Sequence, residues 1–141
     1  MIQTSDFTGK WAIAQNSFTN LQPYIDRYED RILVELMGKD LADDFLSDPD
    51  DEIWDDFKEI GFGLTSLIVG FVYFEYVRDL PFTVTNKNVI YTLEENGSTV
   101  IPAVVLRQRY NECVRDYREM QEYLKANFPN FAGKTKKFMI D

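Results

Sequence analysis

Residues 62–79 read FGLTSLIVGFVYFEYVRD, an apolar run that acquires Glu75, Arg78 and Asp79 only near its end. Its uncharged part, residues 60–74, is shorter than the roughly 18 to 20 apolar residues a membrane-spanning helix needs, and Gly61, Gly63, Thr65 and Ser66 dilute its start. The run therefore predicts a helix over 64–79, apolar on every side and ended by Pro81. In a soluble chain such a helix must be wrapped by other helices or by neighbouring subunits. The resulting class is a soluble, mostly helical, assembling domain.

Upstream, Leu21, Ile25, Tyr28, Ile32 and Leu36 recur at helical spacing. They form one face of a helix that Thr19 or Asn20 can cap, that tolerates Pro23 in its first turn, and that stops at Gly38. A short helix over 40–46 buries Leu41 and Phe45 and ends at an acidic turn. Asp50 or Asp51 then caps a third segment whose apolar side is Ile53, Trp54, Phe57 and Ile60. Residues 1–17 scatter Ile2, Phe7, Trp11 and Ile13 without a sustained stripe and read as an extended N-terminal arm.

Downstream, the periodicity changes. Residues 82–99 are rich in Thr, Val, Asn and Tyr and contain the turn signal Asn96-Gly97, which predicts an extended or β-hairpin excursion with edge groups available to a partner chain. Ser98 or Thr99 can cap the last helix, with Pro102 in its first turn. Over 101–127, Leu106, Tyr110, Cys113, Tyr117, Met120 and Leu124 form a continuous seam with Val105 and Val114 beside it. Arg107, Arg109, Glu112, Arg115, Asp116, Arg118, Glu119 and Glu122 occupy the outer face. Residues 129–141 form a flexible, Lys-rich tail whose apolar Phe138-Met139-Ile140 has no fixed place. The expected fold is all-α, one domain over 1–141: an antiparallel helical bundle of about four to five helices, with the excursion before the long C-terminal helix.

Composition narrows the chemistry. A chain of 141 residues buries roughly 68 to 70% of its unfolded surface, enough for a core without staples. Eleven Phe, eight Tyr and two Trp make that core, or an interface, from large flat side chains. Cys113 is the single cysteine and has no disulfide partner in the chain, which points to a reducing cytoplasm and a small buried hydrophobe. Histidine is absent, so the commonest general base and transition-metal ligand are both missing. No phosphate-binding glycine loop, CxxC pair or nucleophile elbow occurs. The expectation is no enzyme, no catalytic residue, no metal and no cofactor.

The formal charge of −9 is concentrated: residues 40–59 hold ten acids and one base, Lys58, and the rest of the chain is neutral. A basic footprint for nucleic-acid phosphates is therefore lacking, apart from Lys134, Lys136 and Lys137. The acids do not follow a calcium loop either, since counting from Asp48 the required Gly position is Ile53. They read as a solvated face. Glu75, Arg78 and Asp79 read as a structural ion pair rather than an acid/base group. Tyr73, Phe74 and Tyr76, lacking basic neighbours, read as core rather than as a base-stacking surface.

The order of elements carries a resemblance. LQPYIDRYEDRILVELMG, the short DLADDFL, LIVGFVYFEYVRDLPF, the polar VTNKNVIYTLEENGST and RQRYNECVRDYREMQEYLKANFPNF follow one another over nearly the whole chain. In FxYFEYVRD, the linker ending in EENGS, and RYNxxVxxYxxMQxYL, the chain resembles the small head-tail connector, or adaptor, proteins of tailed bacteriophages. The resemblance implies a virion structural protein at the head-tail interface, made in the host bacterial cytoplasm. It implies a homo-oligomeric ring of about twelve copies that binds the portal protein on one side and the tail or next ring on the other. DNA would pass through the channel without being specifically recognised, and no membrane is involved. It also implies that the excursion reaches a neighbour and that a terminus docks on the portal. An all-apolar central helix fits ring burial, and concentrated negative charge fits a DNA conduit to which the duplex must not stick. The alternative from the residues alone is a cytoplasmic helical regulatory or partner-binding module with an aromatic-lined core.

Overall fold

The apolar run forms α4 (Leu64–Asp79), and the rest of the core is arranged around it. The structure, a computed structural model, describes residues 1–11, 21–79, 82–84, 88–93 and 97–139. It is mostly helical, and among the described residues no helix is long and apolar enough to cross a membrane. Leu64, Leu67, Ile68, Val69, Phe71, Val72, Tyr73, Tyr76 and Val77 of α4 are all buried, each a gain of about 1.5–3 kcal/mol over exposure for the aliphatic and Phe side chains. Three elements of the same chain supply the cover: α1 (Gln22–Met37), α5 (Ala103–Asn127) and the N-terminal segment, with α3 (Asp55–Lys58) near the start of α4. Gly70 marks the closest approach. A Cβ there would lie 2.7 Å from Cys113 Sγ and 2.8 Å from the Trp11 ring, so only hydrogen fits.

Two expectations change as a result. One protomer buries α4 without a neighbour, so the central helix is no argument for a ring. The N-terminal arm is not simply extended: its residues 1–11 form two short 3-10 turns, Thr4–Asp6 and Gly9–Trp11, that press Ile2, Phe7 and Trp11 into the core. Trp11 packs edge-on and tilted against Phe74 and Tyr73, at 5.6 and 5.3 Å between ring centroids. Glu29 of α1 anchors the segment by accepting from the Ile2 amide at 2.9 Å. Ile13 and the remainder of the arm to residue 17 lie outside the described residues, as do the candidate caps Thr19 and Asn20.

The predicted face of α1 is the buried one: Leu21, Ile25, Tyr28, Ile32 and Leu36 all face the core. Gly38, at φ +87°, ends the helix and starts α2 (Lys39–Ser47) without a linker. Leu41, Ala42 and Phe45 bury one side of α2. Asp51 caps the next turn by accepting from the Ile53 amide at 3.1 Å, and a 3-10 turn over Glu52–Trp54 leads into the single turn of α3. Trp54 and Phe57 are buried, but Ile53 is not. It is 53% exposed, because the tighter 3-10 spacing rotates it off the face that a regular helix would share with Trp54 and Phe57.

Beyond α4, β1 (Phe82–Val84), β2 (Asn88–Leu93) and β3 (Gly97–Pro102) form an antiparallel sheet in sequence order. Ser98 and Thr99 pair with Thr92 and Tyr91 in this sheet, so neither caps the last helix. The non-helical stretch runs on to Pro102, and α5 begins at Ala103. The β-branched run Thr99-Val100-Ile101 pairs along β2, and Pro102, which has no amide proton to donate, closes the strand rather than opening the helix.

Along α5, Cys113, Val114, Tyr117, Met120 and Leu124 are buried and Leu106 and Tyr110 partly so. Asp116, assigned above to the outer face, is buried instead at 7% exposure. Its Oδ2 accepts from the Phe62 amide at 3.1 Å, and a Cβ on Gly61 (φ +60°) would come within 2.6 Å of that same oxygen. Asp116 thus holds the turn that delivers the chain into α4.

The tail has a place after all. α1 ends with four carbonyls that lack helical partners, and every one is satisfied. Gly38 N donates to Val34 O at 2.8 Å and Ala132 N to Met37 O at 3.1 Å. Lys134 N and the Tyr117 hydroxyl donate to Glu35 O at 2.6 and 2.7 Å, and Gln121 Nε2 to Leu36 O at 3.2 Å. Gln121 Nε2 also reaches Lys134 O at 2.8 Å, and the Tyr117 hydroxyl contacts the same carbonyl. Further on, Arg118 donates to Lys136 O and packs over the Phe138 ring, while Asn111 exchanges hydrogen bonds with the Met139 backbone. Residues 131–139 are a strap across α1 and α5. Ile140, counted above in the apolar end, lies outside the described residues.

Candidate functional site

The acidic segment forms a lobe made of α2, the turn after it, the 3-10 turn and α3, packed on α1, α4 and α5. Asp40, Asp43, Asp44, Asp48, Asp50, Glu52, Asp55, Asp56 and Glu59 are exposed on it. Compensation is slight: Lys39 approaches Asp43 at 4.0 Å, and Lys58 stands 3.9 Å from Asp55 while donating to the Pro49 carbonyl. Such exposed pairs contribute little. Among the described residues no three His, Cys, Asp or Glu side chains converge to hold a metal ion. Asp51 spends one oxygen on the Ile53 amide as a cap.

The lobe is not uniformly polar. Between α2, the 3-10 turn and the end of α5 lies an open cleft of about 290 Å³. Leu41, Ile53, Trp54 and Phe128 give it an apolar side, and Asp44, Asp48 and Asp51 an acidic one. Trp54 stacks on Phe128 at 4.9 Å and 15° and meets Phe45 edge-on at 5.3 Å, so the apolar wall is rigid. Asn130 donates to Asp44 at 3.3 Å across the opening.

A second cleft, of about 110 Å³, lies between α1, α4, α5 and the strap. Glu35 is central there. It accepts from Lys136 at 3.0 Å and from Arg31 at 3.3 Å, and the Lys136 ammonium rests over the rings of Phe71 and Tyr117 at 4.9 and 5.5 Å. Burial pushes the Glu35 carboxyl up, but Lys136 and then Arg31 outweigh it, leaving its pKa below the ordinary 4.5. The Tyr117 hydroxyl is pushed well above its ordinary 10.0 by burial and by the negative charge of Glu35. These shifts keep Glu35 ionised and Tyr117 neutral near pH 7. The volume also falls well short of the 300 Å³ or so at which small-molecule sites begin.

Glu75 and Arg78, singled out in the sequence, do pair across one helical turn, but Arg78 is largely exposed and the pair lies at the surface. The side chain of Asp79 lies outside the described residues. Tyr73 and Tyr76 are buried and Phe74 half-buried in the core. Cys113 is buried against Gly70. Sequence reading passed over Glu35 and Gln121, placed Asp116 on the outer face and saw Lys136 only as part of a basic tail. Their partners lie 54 to 101 positions away along the chain for the contacts that matter, and no local spacing signals them.

Comparison with protein families, curated proteins and solved structures finds no match to this chain.

Proposed function

We propose that this chain is a non-enzymatic structural protein of a tailed-bacteriophage virion. In this reading it is made in the host cytoplasm and assembles as a ring of about twelve copies between the portal and the tail or next ring. Its helices α1, α4 and α5 act as an antiparallel bundle, the strands of 82–102 form the excursion toward a neighbour, and DNA passes through the ring without being read. One observation carries the proposal: α1, the short α2, the apolar α4 closing in FxYFEYVRD, the strand excursion and the long α5 bearing RYNxxVxxYxxMQxYL follow in the order seen in head-tail connectors. The concentrated acidity of residues 40–59 is compatible with a DNA conduit, provided the lobe faces the channel.

A second reading, a free-standing partner-binding module, is favoured by the burial of most of the apolar side chains of α4 within one protomer. Mass in solution separates the two. Light scattering across a wide concentration range, followed by imaging of any large species, should reveal rings, or a monomer that a portal ring recruits. A concentration-independent monomer that no portal ring recruits would sink the connector reading and leave the binding module.

A further inference from the structure

We infer that the cleft on the acidic lobe is a docking site for a cationic segment of a partner protein, which inserts one large apolar side chain beside Ile53 and Phe128 and sets lysine or arginine against Asp44 and Asp48. Charge alone does not require this: a surface that only repels DNA would need no apolar wall. Here the wall exists, Ile53 stands 53% exposed within it, and the carboxylates around it have almost no cation of their own. Ile53 and the half-buried Phe128 are the part of that wall that stays accessible amid like charge, with Leu41 and Trp54 buried behind them. At about 290 Å³ the cleft is at the bottom of the size range for small-molecule sites and admits one or two side chains rather than a cofactor.

Complementarity identifies the occupant. The field of the lobe steers positive segments toward it and disfavours acidic ones. A second copy of this chain is a poor match, because outside residues 40–59 the chain is neutral and its one Lys-rich stretch lies in the strap, where Lys136 is bound to Glu35, Phe138 lies against Arg118 and Met139 pairs with Asn111. The partner is therefore a different protein carrying basic residues flanking an aromatic or branched aliphatic one. This inference does not depend on the ring. A protein that forms rings yet binds no such segment refutes the docking site alone, and a monomer that binds it leaves the docking site standing without the connector reading.

The test uses the full chain and a fluorescein-labelled peptide, KKLWRKL, in anisotropy titrations at low and physiological salt. Controls are KKSSRKS, with the charge but no apolar anchor, and EELWEEL, with the anchor and reversed charge. The expected result is saturable binding of KKLWRKL that weakens with salt, with KKSSRKS about tenfold weaker and EELWEEL not binding. Ile53→Ser and the pair Asp44→Asn with Asp48→Asn, all exposed and checked for native circular dichroism, should each weaken KKLWRKL by about tenfold. Equal binding of KKSSRKS, or no effect of Ile53→Ser, would reduce the site to diffuse charge and overturn the inference. So would absence of saturable binding. Self-association of the chain that Ile53→Ser abolishes would assign the cleft to a second copy and overturn it as well.

Discussion

Gly133→Ala is the sharpest test of the strap that closes α1. Gly133 does not have a positive φ, so alanine there meets no backbone strain and its cost is steric. The added methyl would fall on the Leu36 carbonyl, closer than real Cβ atoms ever come, and within 2.7 Å of Gln121 Nε2 and 2.8 Å of the Phe131 ring. A helix carbonyl and a buried amide cannot swing aside, so the strap must lift by roughly an ångström. Lifting breaks Ala132 N to Met37 O and Lys134 N to Glu35 O and loosens Gln121. At about 1 kcal/mol net for each of these bonds, the loss is about 2–3 kcal/mol. For a domain of this size that corresponds to a fall in Tm of about 8 °C. The assay is urea unfolding followed by the fluorescence of Trp11 and Trp54, with thermal circular dichroism beside it. Gly9→Ala is the comparator: Gly9 has φ +60° but nothing within 4 Å of a Cβ, so it costs only the left-handed backbone, about 1 kcal/mol. If Gly133→Ala stays within about 0.5 kcal/mol of the native chain, or is milder than Gly9→Ala, the strap does not hold the end of α1 and the reasoning fails.

Two further outcomes follow from buried polar contacts. Asp116→Ala strands the Phe62 amide and should cost about 1–2 kcal/mol, whereas Asp116→Asn, whose amide oxygen can still accept, should recover most of it; urea midpoints of the two variants check this, and equal losses would assign the effect to charge. Because the folded pKa of Glu35 lies below 4.5, its pairing stabilises the protein above that pH and is lost as pH falls through the lower folded value. Lys136→Met keeps an unbranched apolar side chain beside Phe71 and Tyr117 but removes the ammonium that rests over them and pairs with Glu35. It should therefore flatten the acid side of the stability curve, measured as urea midpoint against pH, and an unchanged slope would mean that Glu35 does not depend on Lys136.

Periodicity carried much of the fold. The stripe from Leu21 to Leu36, the seam of α5 and the all-apolar α4 are each readable because a helix repeats its inward positions every three or four residues, and burial follows that repeat. Where the helix tightened into a 3-10 turn, the repeat changed, and Ile53 went to the surface. Where a strand competed with a cap, the pairing of Ser98 and Thr99 along β2 prevailed over their propensity to start a helix. Asp116 looked like a surface acid because only its own helix was in view; its partner, the Phe62 amide, arrives from another element.

Composition and spacing alone determined a mostly helical chain with one unusually apolar helix, no histidine chemistry, and all of its net charge within residues 40–59. Tertiary structure decided what covers that helix and what becomes of the ends. The arm and strap have no stripe to announce them, because they are ordered by contacts with distant elements: Trp11 against Tyr73 and Phe74, and residues 132–134 on the free carbonyls of α1. The apolar cleft within the acidic lobe likewise exists because Phe128, at the far end of the chain, stacks on Trp54. A local pattern reports which face of an element is apolar; only the folded chain determines which partner meets that face, since the pairing energy comes from residues that sequence order keeps apart.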